Sequence, residues 1–457
     1  LDGIQMTKTN AISLLILVSV IIFRVLYDVY NSIEYHYEEA QYWVWSQNLS
    51  LSYLTKGPLV SWSIYLSNEI FGQNYLGLKF FSLLALIATI LLLGVIAEEL
   101  SSDKDSRLHG IVLAALSPAI FFLGGVSTTD IFLFFFWSLF LFGYIRFLKT
   151  RDENWFYLIG LATGFGLLTK LSMILLPLSI VVYSAFTPLK KYLFSTKFFS
   201  SIAIALLIFS PVLIWNYLNN WPTISHEISH LAAPATSANP EVVIFSMLLI
   251  APTSIFVLRR NFFDHIRLEL NKHILIPMVL IFIFFFVKAL FGKVQVNWSM
   301  PLFIVLIPII ATFVKEIKFS FMPGLVLIIS ISIFSNLGFS KVFTDNDPLH
   351  PMRGWKAVFE DLNLKRNYSV FASNDYKLLS QASYYLKDAK NLKYDRNPSF
   401  RMTHYDTWNN KFSDADNIIY LTYENKRIVN KELDCILTSS SNIDLRKNLS
   451  LYTCKKK

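Results

Sequence analysis

Apolar runs of about 16 to 20 residues recur through the first three quarters of the chain, each able to cross a hydrocarbon core of roughly 30 Å as a helix. Eleven are predicted, near residues 10–27, 77–97, 109–123, 130–147, 155–170, 171–187, 199–218, 241–258, 273–289, 299–314 and 319–338. The runs nearly touch at Lys170 and across Gly124 to Thr129. The expected fold is mainly α, a polytopic membrane helix bundle. In the long loop after the first run, EEAQYWVW implies an amphipathic helix along the membrane interface. Beyond residue 338 the pattern changes. Short alternating runs such as YSVFAS and NIIYLTY flank the polar, helix-compatible stretch DYKLLSQASYYLKDAK, which predicts a small C-terminal α/β domain. The expected division is a transmembrane domain over 1–338 and a C-terminal domain over 339–457, with no repeat or long linker between them.

Composition agrees with a membrane solvent: 54% of the 457 residues are hydrophobic, 16% are charged and 40 are phenylalanine. The residues LDGIQ before Met6 read as a cloning remnant, and Ala11 to Phe23 reads as a signal anchor because it lacks a small-residue cleavage site. Basic residues sit in alternate loops: Arg146, Lys149 and Arg151; Lys190, Lys191 and Lys197; Arg259, Arg260, Arg267 and Lys272; Lys315 and Lys318. Their translocation is disfavoured, so these loops are expected in the cytoplasm and the C-terminal domain outside, in the periplasm of a Gram-negative cell. The two cysteines, Cys435 and Cys454, both lie in that outer segment and are expected to pair there. A net charge of +9 without any nucleic-acid motif points to lipid headgroups.

The loop after the first run, IEYHYEEAQYWVWSQNLSLSYLTKGPLVSW, is dense in acids and aromatic rings. Glu38 and Glu39 are candidate functional acids, because such a helix holds them near hydrocarbon, and only one of the pair can face inward. Trp43, Trp45 and Tyr42 are either part of a site or interfacial anchors. This stretch resembles the DEAYYWLWSQ and KPPL signature of the GT-C glycosyltransferases. The nearest branch is the bacterial family related to protein O-mannosyltransferases and to lipid A aminoarabinose transferases. The likeness continues at STTDIFLFFFW, GLATGFGLLTK, SPVLIWNYLNNW and VNWSMPLF, and extends to HYDTW in the outer domain.

The resemblance implies a GT-C fold and transfer of a sugar from a polyprenyl phosphate donor, with no cofactor. It matches Glu38 to the family's catalytic base, where aspartate is usual, so Glu39 remains an alternative. Lys56 matches the KPPL lysine and would hold the donor phosphate, or else snorkel to headgroups. Tyr53 matches a tyrosine that donates a hydrogen bond to the same phosphate. Thr55 stands where relatives carry an acid, which argues against a metal there. Asp130 is either a helix N-terminal carboxylate or a second acid of the cavity. Lys170 and Lys293 are further phosphate candidates, or interfacial anchors. Asn216, Asn297 and Trp298 are candidate cavity residues, the two amides for sugar or for loop backbone. His226 and His230 in SHEISH lack a third ligand and are not expected to bind metal. Arg401, His404 and Tyr405 are more in keeping with a soluble surface than with an acceptor entrance.

The expected function is therefore an inverting transferase acting at the outer face of a bacterial inner membrane, on lipid A or another envelope glycan. Protein O-glycosylation is the alternative acceptor chemistry. A lipid or sugar transporter is the rival class, but it should show related halves and interrupted helices at the bilayer midplane. The ionisable residues here gather instead at the outward face.

Overall fold

Helices make up the described chain as far as Asn336, and every described strand lies after Tyr368. The computed structural model describes residues 8–30, 33–232, 238–254, 269–314, 317–336, 352–361, 368–397, 402–408, 410–413, 417–423, 428, 430–441 and 449–457. The helices are α1 (Lys8–Tyr30), α2 (Tyr37–Ser46), α3 (Leu59–Phe71), α4 (Tyr75–Ser101), α5 (Lys104–Ala115) and α6 (Pro118–Gly124). They continue as α7 (Thr129–Thr150), α8 (Trp155–Thr169), α9 (Leu175–Ala185), α10 (Thr196–Leu218), α11 (Pro222–Ala232) and α12 (Glu241–Ile250). Four more follow at Glu269–Phe291, Val296–Phe303, Leu306–Ala311 and Ile317–Asn336.

Local sequence sets many of these boundaries. The Asn74 side chain caps α4 by accepting from the Gly77 N–H, and Ser117 caps α6, with Pro118 at its first position where no N–H is needed. Inside the bundle α7 is the central post. Its most apolar stretch is 78% buried, against 22% for α10, most of which therefore lies outside the packed interior. Gly160 lets α8 and α10 touch, since a Cβ there would come 2.6 Å from the Ser201 carbonyl oxygen.

Among the described residues, four helices are long and apolar enough to cross a membrane, or up to six if each bent pair is one span. The expected eleven are not all seen as single helices, and a proline opens the next helical turn at two of the breaks. The 109–123 run is α5 and α6, bent by 61° at the break before Pro118. The 171–187 run is a short 3-10 turn continuing into α9, and that segment bends by 119° at Pro188. The 299–314 run splits into Val296–Phe303 and Leu306–Ala311. The 241–258 run leaves its helix at Ile250, and its residues 255–258 lie outside those described.

The polar C-terminal segment builds one five-stranded sheet from β1 (Val370–Ser373), β2 (Leu392–Tyr394), β3 (Ile418–Tyr423), β4 (Leu433–Ser441) and β5 (Leu449–Lys456), in the order β2-β1-β3-β5-β4. β1 pairs in parallel with β2 and β3, while β5 runs antiparallel to β3 and β4. Cys435 and Cys454 face each other on β4 and β5 and are joined in a disulfide.

The helix Tyr376–Leu386, between β1 and β2, packs on α2. Tyr384 lies 4.6 Å from the Tyr35 ring and 5.3 Å from that of Trp43, and the Gln381 amide donates to the Tyr35 carbonyl at 2.7 Å. α2 is therefore no surface helix at the interface. It is covered from outside, which leaves Trp43 and Trp45 3% and 0% exposed and excludes them as headgroup anchors.

Candidate active site

A cavity of about 580 Å³ lies between α2, the loop before α3, the end of α8, α11 and the C-terminal segment. Its geometry begins with α2. The His36 side chain accepts from the Glu38 N–H, and the Glu39 carboxylate accepts in return from the His36 N–H at 3.0 Å, a reciprocal cap that fixes the first turn. Successive residues on a helix point about 100° apart, so the two acids must part. Glu38, Gln41 and Tyr42 form the face that lines the cavity. Glu39 is turned into the protein and is fully buried, with Oε1 2.8 Å from the Ser127 N–H and 3.2 Å from Lys79 Nζ. It does not line the cavity. Both of its oxygens are engaged, by the cap, the ion pair and the Ser127 backbone.

Lys56 reaches the same cavity from the loop between α2 and α3. The backbone of that loop closes on itself, with the Tyr53 N–H donating to the Lys56 carbonyl at 3.3 Å. Gly57 lets it press against α8, since a Cβ there would meet the Leu168 carbonyl oxygen at 1.9 Å. Tyr53 is buried beneath, stacked 4.4 Å from Trp45, and its hydroxyl donates to the Trp45 carbonyl at 2.8 Å. That hydroxyl is not free for a phosphate, so the expected ligand is instead the support of the lysine loop. Burial draws the Lys56 ammonium below its ordinary pKa, as does nearby Lys170, while Glu38, Asp130 and Glu227 act the other way. Among the described residues, neither the Glu38 carboxylate nor the Lys56 ammonium has a hydrogen-bond or ion-pair partner.

Asp130 opens the first turn of α7, where a carboxylate suits the positive helix end. It accepts from Lys170 at 3.0 Å on one oxygen and from the Asn297 amide at 2.9 Å on the other. Lys170 lines the cavity and Asp130 stands behind it, so Asn297 acts on the site through Asp130. Trp298 is a wall of the cavity. Asn216 is elsewhere: its amide donates to the Val212 carbonyl and its oxygen accepts from the Thr223 N–H, which builds the turn between α10 and α11. Lys293 is exposed and does not line the cavity.

His404 is not a surface residue. It is buried against Trp45, Tyr53, Trp215 and Trp408, with Nδ1 accepting from the Leu54 N–H, and burial lowers its pKa to about 3. Tyr405 is likewise buried and bonds to Ser380, and Arg401 lies outside the described residues. The sequence reading missed Glu227. It lines the cavity from α11, its pKa raised by burial and opposed by Lys56 and Lys170. It also missed Asn374, Asp375 and Tyr376, at the end of β1, which line the same cavity. Among the described residues no three His, Cys, Asp or Glu side chains gather as metal ligands, and the His230 side chain lies outside those described. A second, apolar cavity of about 270 Å³ runs along α7 to α10 and shares Leu167 and Ile174 with the first.

Comparison with known proteins bears on this geometry. The family described as dolichyl-phosphate-mannose-protein mannosyltransferase matches residues 55–215, which include Lys56, Asp130 and Lys170 but not Glu38. Lipid A galacturonosyltransferase RgtD of Rhizobium johnstonii is 26% identical over 220 residues, 48% of this chain and 46% of that protein. Lipopolysaccharide core galacturonosyltransferase RgtB of the same organism is 27% identical over 180 residues, 39% of this chain and 36% of that protein. The chain thus spans about half the length, or less, of the curated relatives it matches. Among solved structures, ArnT from Cupriavidus metallidurans superposes with a TM-score of 0.68 at 12% identity, covering 96% of this chain and 97% of that one. A second ArnT structure, bound to undecaprenyl phosphate, superposes equally well. The resemblance read from the sequence therefore holds, in the matched sequence and in a fold like that of ArnT.

Proposed function

We propose that this protein is a membrane glycosyltransferase that moves a sugar from a polyprenyl phosphate to lipid A or another envelope glycan at the outer face of a bacterial inner membrane. One observation carries the reading: one cavity of mixed polar and apolar lining holds a carboxylate and an ammonium that are both unengaged among the described residues, and it adjoins an apolar groove. The groove suits a polyprenyl tail and the cavity suits its phosphate and sugar. The relatives' action on lipid A and lipopolysaccharide core, and the undecaprenyl phosphate bound by ArnT, support donor and acceptor of these classes.

In the proposed reaction an acceptor hydroxyl oxygen attacks the anomeric carbon while its proton passes to the Glu38 carboxylate. The bond between that carbon and the phosphate oxygen breaks, configuration inverts, and the departing polyprenyl phosphate takes up the electron pair. Lys56 stabilises the charge that develops on it. Lys170, already neutralised by Asp130, contributes a weaker positive field at the wall. An acceptor phosphate is already ionised, and Glu38 would then orient it through a bridging group instead of deprotonating it.

The proposal takes residues 1–338 as a membrane domain of eleven spans and 339–457 as an outward α/β domain. The asymmetry of the basic loops supports that orientation, and so does the Cys435–Cys454 bond, since disulfides persist in oxidising compartments. Mass spectrometry of lipid A, other envelope glycans and envelope proteins from cells with and without the gene tests the function. Loss of a sugar mass from lipid A or another glycan is expected. Loss from a protein hydroxyl would change the acceptor to a protein, and no difference in any fraction would contradict the reading.

A further inference from the structure

The cavity holds a second carboxylate that the proposed reaction does not use. Glu227, in the middle of α11, lines it together with Lys56 and Lys170, and both cations act on its charge. Among the described residues its side chain has neither a hydrogen-bond nor an ion-pair partner. A partly buried acid left in that state bears a desolvation cost that Lys56 and Lys170 offset only in part. A bound ligand with hydrogen-bond donors would supply what is missing.

Charge decides which ligand. The cavity-lining carboxylates are Glu38, Glu227 and Asp375, and Asp375 also caps the helix Tyr376–Leu386. The described cavity-lining lysines are Lys56 and Lys170, with Lys170 matched by Asp130, and His226 beside Glu227 is the one other described basic side chain of the lining. Once the donor phosphate occupies Lys56, no described cavity-lining lysine is left to face a further anion, and only His226, an imidazole next to Glu227, could do so. A hexuronate would then bring its carboxylate beside the Glu38 and Glu227 carboxylates, where like charges in a restricted dielectric repel strongly. A sugar that presents hydroxyl or ammonium groups would instead donate to Glu227.

Resting on the glycosyl-transfer reading above, we propose that Glu227 determines sugar specificity: it accepts hydrogen bonds from a non-anionic sugar and excludes a uronate. The site would therefore take a different sugar from the one named for the galacturonosyltransferases that this chain resembles in sequence.

The test is competition for labelled undecaprenyl phosphate on the purified full chain, which needs no acceptor. Competitors are undecaprenyl phosphate carrying a neutral hexose, an aminopentose or a hexuronate, each read as its affinity relative to the bare lipid. In the wild type the hexose or the aminopentose should exceed the hexuronate by tenfold or more. The two non-anionic arms identify which donor group Glu227 accepts. Glu227→Gln should shrink that preference at least fivefold, and Glu227→Lys should reverse it. A wild-type preference for the hexuronate, or a preference that Glu227→Gln leaves within twofold, would overturn the assignment. Bare lipid that fails to bind, or binds equally well to Lys56→Ala, would instead overturn the underlying reading of the site and the Glu227 assignment with it.

Discussion

Replacing Glu39 should damage the fold, whereas replacing its neighbour Glu38 should damage only the chemistry. Glu39 is 0% exposed and its oxygens meet Lys79 Nζ at 3.2 Å, the Ser127 N–H at 2.8 Å and the His36 N–H at 3.0 Å. In Glu39→Gln the amide keeps one acceptor oxygen, so one of the two backbone donors faces an NH2 group. Lys79, 3% exposed at its side chain, loses its counter-charge and retains the Gly125 carbonyl. Breaking a buried pair by removing one partner costs about 3–5 kcal/mol, and an unsatisfied buried donor adds about 1–3 kcal/mol. The double variant Glu39→Gln/Lys79→Met removes the stranded charge and should recover part of that loss. The apparent unfolding midpoint of the detergent-purified chain, with monodispersity checked by size exclusion, gives the comparison. The expected order of stability is wild type with Glu38→Gln, then the double variant, then Glu39→Gln. A Glu39→Gln protein as stable as wild type yet unable to transfer sugar would refute the structural role and restore Glu39 as a catalytic candidate.

Three further outcomes are expected. Tyr53→Phe should lower stability by about 1 kcal/mol, because one hydrogen bond to the Trp45 carbonyl is lost, and should change lipid phosphate affinity less than twofold by titration. Asp130→Asn should lower the unfolding midpoint more than Asn297→Ala, since the first strands Lys170 and the second removes one hydrogen bond to a carboxylate. His404 has a folded pKa near 3, below its unfolded value of about 6.5, so its contribution to stability is complete above about pH 6.5. As pH falls from there toward 3 it is lost at a rate of order 1.4 kcal/mol per unit, and unfolding scans of His404→Gln against pH should be correspondingly flatter.

The bundle and the strands after Tyr368 were legible because hydrophobic periodicity is local. The run at 130–147 became α7, and YSVFAS and NIIYLTY became β1 and β3. Apolar segments bend where Pro118 and Pro188 open a new helical turn, without becoming less apolar, so hydropathy counted spans where the backbone turns. Glu38, Lys56 and Lys170 were found because resemblance to a known signature marks positions, and the cavity does bring these three together. Tyr53 and Asn216 instead spend polar atoms on backbone, which for Asn216 is one of the two partners the sequence left open. A motif reports that a residue type recurs, not whether its polar atoms are spent on backbone. Glu227 and Asp375 were invisible for another reason: they meet Lys56 and Glu38 only through tertiary packing. Lys79 had a readable signal, an ionisable residue within an apolar run, whose partner Glu39 lies forty positions away.

The central claim is that Glu38 removes a proton while Lys56 holds a phosphate, and the two roles separate in one experiment. Lipid-donor affinity and single-turnover transfer to the acceptor identified by mass spectrometry would be measured on purified wild type, Glu38→Gln and Lys56→Ala. Glu38→Gln should keep donor affinity within about threefold and lose transfer by 10²-fold or more, since a positioned base contributes roughly 10²–10⁴-fold. Lys56→Ala should weaken both, because its charge acts on the phosphate before and during departure. Transfer by Glu38→Gln at near wild-type rate, with a hydroxyl acceptor and unchanged folding, would contradict the account.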